Sequence, residues 1–107
     1  MINIKWSIEE AIVLFSFYIN GTTKKEDLKK LSDAYKRRAE ILGIKIDAKF
    51  RNMNGLSMQL GCITYVVTGG KHGFSSASKL FYETYDLYKT NPELFASILQ
   101  EFKNKYM

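Results

Sequence analysis

Nine consecutive residues, Ala11–Ile19, contain one strongly polar side chain, Ser16, and are apolar on every side of a helix. Such a helix has no face for water, so a chain that carries one must wrap the rest of itself around it. Both limits are marked. Ser7-Ile8-Glu9-Glu10 has the capping-box form, with Ser7 as N-cap and Glu10 reaching back. Gly21 stands where a helix running to about Asn20 needs a left-handed residue after its cap. Trp6 is positioned to pin the start of the helix against a neighbour. The run has about half the length of a bilayer crossing, so neither a transmembrane helix nor a membrane partner is expected.

Four more helices follow from spacing and end signals. Thr22 or Thr23 caps a second helix that reaches about Leu42 and closes at Gly43, with Leu28, Leu31, Tyr35, Ala39 and Leu42 as its apolar stripe. Its other face offers Glu26/Lys30 and Asp33/Arg37 in the acid-first i,i+4 order, and Lys36/Glu40. From 44 to 50, Ile44, Ile46, Ala48 and Phe50 alternate with Lys45, Asp47 and Lys49. With no partner strand, this reads as a short extended connector. Asn54 or Asn52 caps a third helix over about Gly55–Val67, striped by Leu56, Leu60, Ile63 and Val67. Gly61 within it costs about 1 kcal/mol against alanine and suits a close helix–helix approach. Residues 68–74 form a glycine loop expected to be flexible. Ser75 or Ser76 caps a fourth helix over about Ala77–Lys89, with Leu80, Phe81, Leu87 and Tyr88 on one face. Asn91-Pro92-Glu93 opens the last, which carries Leu94, Phe95, Ile98, Leu99 and Phe102. The expected fold class is all-α: a compact bundle of about five helices in a single domain over residues 1–107.

The formal net charge is +5, and its distribution is uneven. Residues 24–51 hold ten basic side chains (Lys24, Lys25, Lys29, Lys30, Lys36, Arg37, Arg38, Lys45, Lys49, Arg51) against five acids, while the remainder has six of each sign. All of the excess positive charge therefore lies in one segment, which favours a polyanionic partner; the polar face of the second helix reads first as a salt-bridged solvated face and, in the sharper reading, as a phosphate-facing rim. That segment ends at Phe50-Arg51-Asn52-Met53-Asn54-Gly55, where polar donors sit directly before an apolar helix. Arginine can grip phosphate or guanine and asparagine can pair with an adenine edge. The same residues have a structural use, with asparagine capping the next helix and arginine tying two helices. Of the two asparagines, Asn54 has the more cap-like position, and Arg51 is the better ligand contact.

Other candidates point away from catalysis. Cys62 is the only cysteine, which excludes an internal disulfide and a Cys-cluster zinc site; it reads as a small buried hydrophobe. His72, the only histidine, lies on the glycine loop and has no nucleophile at a triad spacing. It could join Lys71 at a phosphate. Gly69-Gly70-Lys71 lacks the P-loop spacing and a preceding strand. Tyr82, Tyr85 and Tyr88 suit either base stacking or a core with an amphipathic rim. No catalytic residue, metal or cofactor is expected, and the location expected is cytoplasmic.

Taken together, Trp6-Ser7-x-Glu9-Glu10, the apolar helix with Tyr18, Phe50-Arg51-Asn52-x-Asn54-Gly55-x-x-Met58-x-Leu60, Ser78-Lys79-Leu80 and Asn91-Pro92-Glu93 resemble a known pattern. It is that of the small helical N-terminal head domain preceding HNH nuclease modules in bacterial modification-dependent restriction enzymes. The resemblance covers nearly the whole chain, and its specific part is the Phe-Arg-Asn-x-Asn-Gly block. Met53 stands where that family usually has proline, Gln59 where it has lysine and Cys62 where asparagine is common. A nuclease metal site cannot be built from the single histidine, so cleavage is not expected of these residues. The resemblance and the charge together imply a non-catalytic DNA-binding or recognition module. Lys45, Lys49, Arg51, Asn52, Asn54, Gln59 and Lys71 are its candidate contacts, and a separately encoded nuclease or other defence protein is a possible partner. The competing expectation is a protein-interaction or regulatory module of a phage or defence system.

Overall fold

Helix α1 (Ile8–Asn20) runs through the middle of the molecule, and every residue from Glu10 to Ser16 is buried. The computed structural model describes residues 4–73 and 77–107. The capping box forms: Ser7 Oγ accepts the Glu10 N–H at 3.2 Å and Glu10 Oε1 accepts the Ser7 N–H at 3.1 Å. At the other end Gly21 takes φ 71°, and the Thr22 N–H reaches back to the Phe17 carbonyl, satisfying an end group the helix itself leaves open.

Around it stand α2 (Lys25–Ile41), α3 (Met53–Val67), α4 (Lys79–Thr90) and α5 (Pro92–Tyr106), so the described residues form an all-α bundle of five helices. α1 packs against α3, α4 and α5, and α2 packs against α3 and α5. One core joins them, built on Ala11–Phe15 with Leu31, Tyr35, Leu56, Ile63, Phe81, Phe95 and Phe102. Phe15 is its aromatic centre, with the rings of Tyr18, Tyr85, Tyr88 and Phe95 all within 6.3 Å. Tyr85 and Tyr88 thereby pack on Phe15, while Tyr82 and part of Tyr88 are exposed. The radius of gyration, 13.3 Å, matches the roughly 13 Å expected of a compact domain this long.

Several local expectations need correction. α2 starts at Lys25, where the Asp27 carboxylate accepts the Lys24 N–H; Thr22 instead turns its hydroxyl to the Phe17 carbonyl of α1. Along α2 the ion pair formed is Lys29–Asp33, not Glu26/Lys30 or Asp33/Arg37, because Arg37 donates to the Tyr106 carbonyl at the end of α5. Leu42 is exposed just past the end of α2, and Leu94 is exposed although its neighbour Phe95 lies in the core. The connector has no regular secondary structure over 44–47 and then turns through 48–51, and Ala48 is exposed rather than inward. α4 begins at Lys79 after Ser78, while Ser75 and Ser76 lie outside the described residues.

Over its described residues, 68–73, the glycine loop is tied to α3. Thr68 Oγ1 donates to the Thr64 carbonyl and accepts the His72 N–H, and the loop returns onto α3. A Cβ on Gly73, at φ 87°, would collide with the Gly61 carbonyl and the Tyr65 amide. The close approach seen at Gly61 is therefore that of this loop.

Candidate functional site

The Arg51 guanidinium lies between the Trp6 and Phe50 rings, 4.5 Å from each centroid. Its Nε donates to Glu10 Oε2 at 2.6 Å, and Nη2 donates to Glu10 Oε1 at 3.2 Å and to the Lys5 carbonyl at 3.1 Å. Nη1 donates to the Ile4 carbonyl at 3.3 Å. The backbone joins in: Ser32 Oγ on α2 donates to the Arg51 carbonyl at 2.7 Å. The side chains of Arg51 and Glu10 are only 8% and 3% exposed. Arg51 also sits at φ 46°, a left-handed conformation costing an L side chain roughly 1–2 kcal/mol, held by this density of contacts.

One arginine thus ties the segment before α1, the start of α1, the middle of α2 and the loop into α3. The two sequence motifs, Trp6-Ser7-x-Glu9-Glu10 and Phe50-Arg51-Asn52, are the halves of one lock. This corrects the expectation for Arg51: its donors are spent internally, so it is a tie between helices and not an open ligand contact. Arg38 adds a second cation at longer range, with Nε 3.6 Å from Glu9 Oε2 and Nη1 3.8 Å from Glu10 Oε1. These are ion-pair distances without hydrogen bonds, and Arg38 Nε is buried with no hydrogen-bond partner. The Tyr35 hydroxyl donates to the Glu10 carbonyl oxygen at 2.6 Å. Burial, and next the Glu10 carboxylate, hold the Tyr35 hydroxyl well above its ordinary pKa, against the pull of Arg51, the Leu14 backbone and Arg38.

The two asparagines exchange roles. Asn52 is the N-cap, its Oδ1 accepting the Gly55 N–H at 2.8 Å, while Asn54 is exposed in the first turn of α3. Asn54 faces an open groove of about 270 Å³ between α2 and the start of α3, lined also by Lys29, Ser32, Asp33, Lys36, Asn52 and Met53. Lys29 pairs with Asp33 at 3.6 Å, but both are well exposed and such a pair is weak. Among the described residues Lys36 has no carboxylate within ion-pair distance, nor do the exposed Lys24, Lys25, Lys30, Lys45 and Lys49.

Of the other expected contacts, Lys49 is beside the groove through its backbone, its carbonyl accepting the Asn52 N–H at 3.2 Å. Lys45 is exposed on the connector, and Gln59 is half-buried on α3 and does not line the groove. Lys71 is exposed beyond the far end of α3, about 22 Å along the helix from its start, so it belongs to a different part of the surface. Lys29 and Lys36 also line the groove, beyond the contacts expected from the sequence. The available signal was their spacing: positions 29, 32, 33 and 36 recur at helical intervals and form one polar stripe.

The groove is cationic, open and rich in donors. Among the described residues no group of three His, Cys, Asp or Glu side chains is placed to hold a metal ion. Burial pushes the Cys62 thiol up, which keeps it protonated and poorly nucleophilic. No protein-family model, curated protein or solved structure matches this chain.

Proposed function

We propose that this protein is a non-catalytic nucleic-acid-binding module that holds DNA through the outer face of α2 and the start of α3. The observation that carries the reading is the division of labour among the cations. Arg38 and Arg51 are consumed by the internal lock, while Lys24, Lys25, Lys30, Lys36, Lys45 and Lys49 remain outside without acidic partners among the described residues. Lysines left in that state attract a phosphate backbone by charge and counterion release, with no dependence on base identity. The resemblance to restriction-enzyme head domains supports the same reading and adds a context, in which the module works beside a separately encoded nuclease.

A second reading, a protein-interaction module of a phage or defence system, draws on exposed apolar side chains at Ile41, Leu42 and Met58. Fluorescence anisotropy with labelled duplex and single-stranded DNA at low and moderate salt separates the two. The DNA reading predicts binding at low salt that weakens steeply as salt rises. No binding to either probe at low salt contradicts it and leaves the protein-interaction reading.

A further inference from the structure

The fifteen residues of α3 contain no charged side chain, although the helix lies at the surface beside the most basic segment of the chain. Surface helices ordinarily carry charge on the side that faces water. On α3 that side is Asn54, Ser57 and Met58, all exposed, with Met58 at 58%. The three are spaced so that they share one face over the first two turns. Further along, the glycine loop comes down on Gly61 and Tyr65 and covers the continuation of the same stripe. What stays open is therefore the N-terminal half of a neutral helix, with the groove lysines Lys29 and Lys36 next to Asn54 and Lys49 at the turn before the cap.

We infer that α3 is a reading helix whose first two turns enter the DNA major groove, with Asn54, Ser57 and Met58 facing base edges and Lys29, Lys36 and Lys49 on the flanking phosphates. The inference rests on the DNA-binding reading above and adds specificity to it. The dimensions agree: a helix with its side chains is about 10–12 Å across and the major groove about 12 Å wide. The chemistry agrees as well. A side-chain amide matches the paired donor and acceptor of adenine, a hydroxyl serves either role, and an apolar thioether suits the thymine methyl. A neutral reading face between cationic flanks separates sequence readout from backbone attraction, and in helix-turn-helix proteins the N-terminal residues of the recognition helix do the reading.

The test is selection from a pool of random-sequence 20-base-pair duplexes, with the full chain and with Asn54→Ala and Met58→Ala. Asn52, not Asn54, is the cap, and both substituted positions are exposed, so both variants should melt with the parent. The expected result is enrichment of a short motif containing adenine at a fixed position. Asn54→Ala should lose about tenfold in affinity for that motif while binding the unselected pool within about twofold of the parent. If the parent binds the pool in a salt-dependent way but enriches nothing, the inference is overturned and the electrostatic reading stands. If the parent does not bind the pool at all, both fall.

Discussion

At the scale of single residues, Glu10 and Arg51 make the most consequential contact in the molecule. Both are buried, they are joined by two hydrogen bonds, and Trp6 and Phe50 close the cation off from water. Removing one partner of such a pair leaves an uncompensated buried charge, at a cost of about 3–5 kcal/mol. Arg51→Ala is therefore expected to lower stability by that amount in urea unfolding monitored by circular dichroism. A Glu10→Ala/Arg51→Ala double-mutant cycle should return a coupling of about 2 kcal/mol. Tyr35 supplies a second residue-scale prediction, through pH. Its folded-state pKa is raised, so the folded protein holds the hydroxyl proton more tightly than the unfolded chain does. The stabilisation is complete below the unfolded pKa near 10 and is lost as pH rises through the folded value. Between about pH 9 and about pH 11, the melting temperature of the parent should fall more steeply than that of Tyr35→Phe. Met53 is the first residue of α3, a position where proline is favoured and methionine is tolerated.

At the scale of elements, the two ends of α3 make contrasting predictions. Asn52→Ala removes the cap and is expected to cost about 1 kcal/mol, whereas Asn54→Ala should change stability by less than about 0.5 kcal/mol. At the far end, Gly69 and Gly73 both have positive φ, but a side chain at Gly69 meets open space and one at Gly73 meets the α3 backbone. Urea titrations should rank Gly73→Ala well below Gly69→Ala, which carries only the cost of about 1 kcal/mol for a left-handed alanine. The helices themselves were legible in the sequence because their signals are local. The all-apolar run and capping box give α1, the Gly43 end gives α2, and Asn91-Pro92 gives α5. Three things were not legible. Leu42 fits the stripe of α2 but falls where no neighbour reaches, and no pattern within one helix shows where its neighbours stop. Asn52 and Asn54 are both good caps, and a shift of two residues in the helix start decides between them. Arg51 reads as a ligand contact in the sequence because its partner, Glu10, is 41 positions away, and Glu10 has a sufficient local explanation as part of a capping box.

At the scale of the whole molecule, the charge excess in residues 24–51 is divided by the fold. The arginines Arg38 and Arg51 go inward to the two glutamates at the start of α1, and Arg37 ties the end of α5. The lysines stay outside, around the groove at the start of α3 and along the connector. The sequence asymmetry thus becomes a lysine surface mounted on an arginine-locked frame, and this division is the centre of the functional account. The salt dependence of duplex DNA affinity, compared between the parent and Lys29→Ala/Lys36→Ala, tests it most directly. The account predicts that log K falls linearly with log salt in the parent and that the double variant has a slope shallower by about two, with an unchanged melting temperature. An affinity and slope indistinguishable from the parent's, or no binding by the parent at low salt, would contradict it.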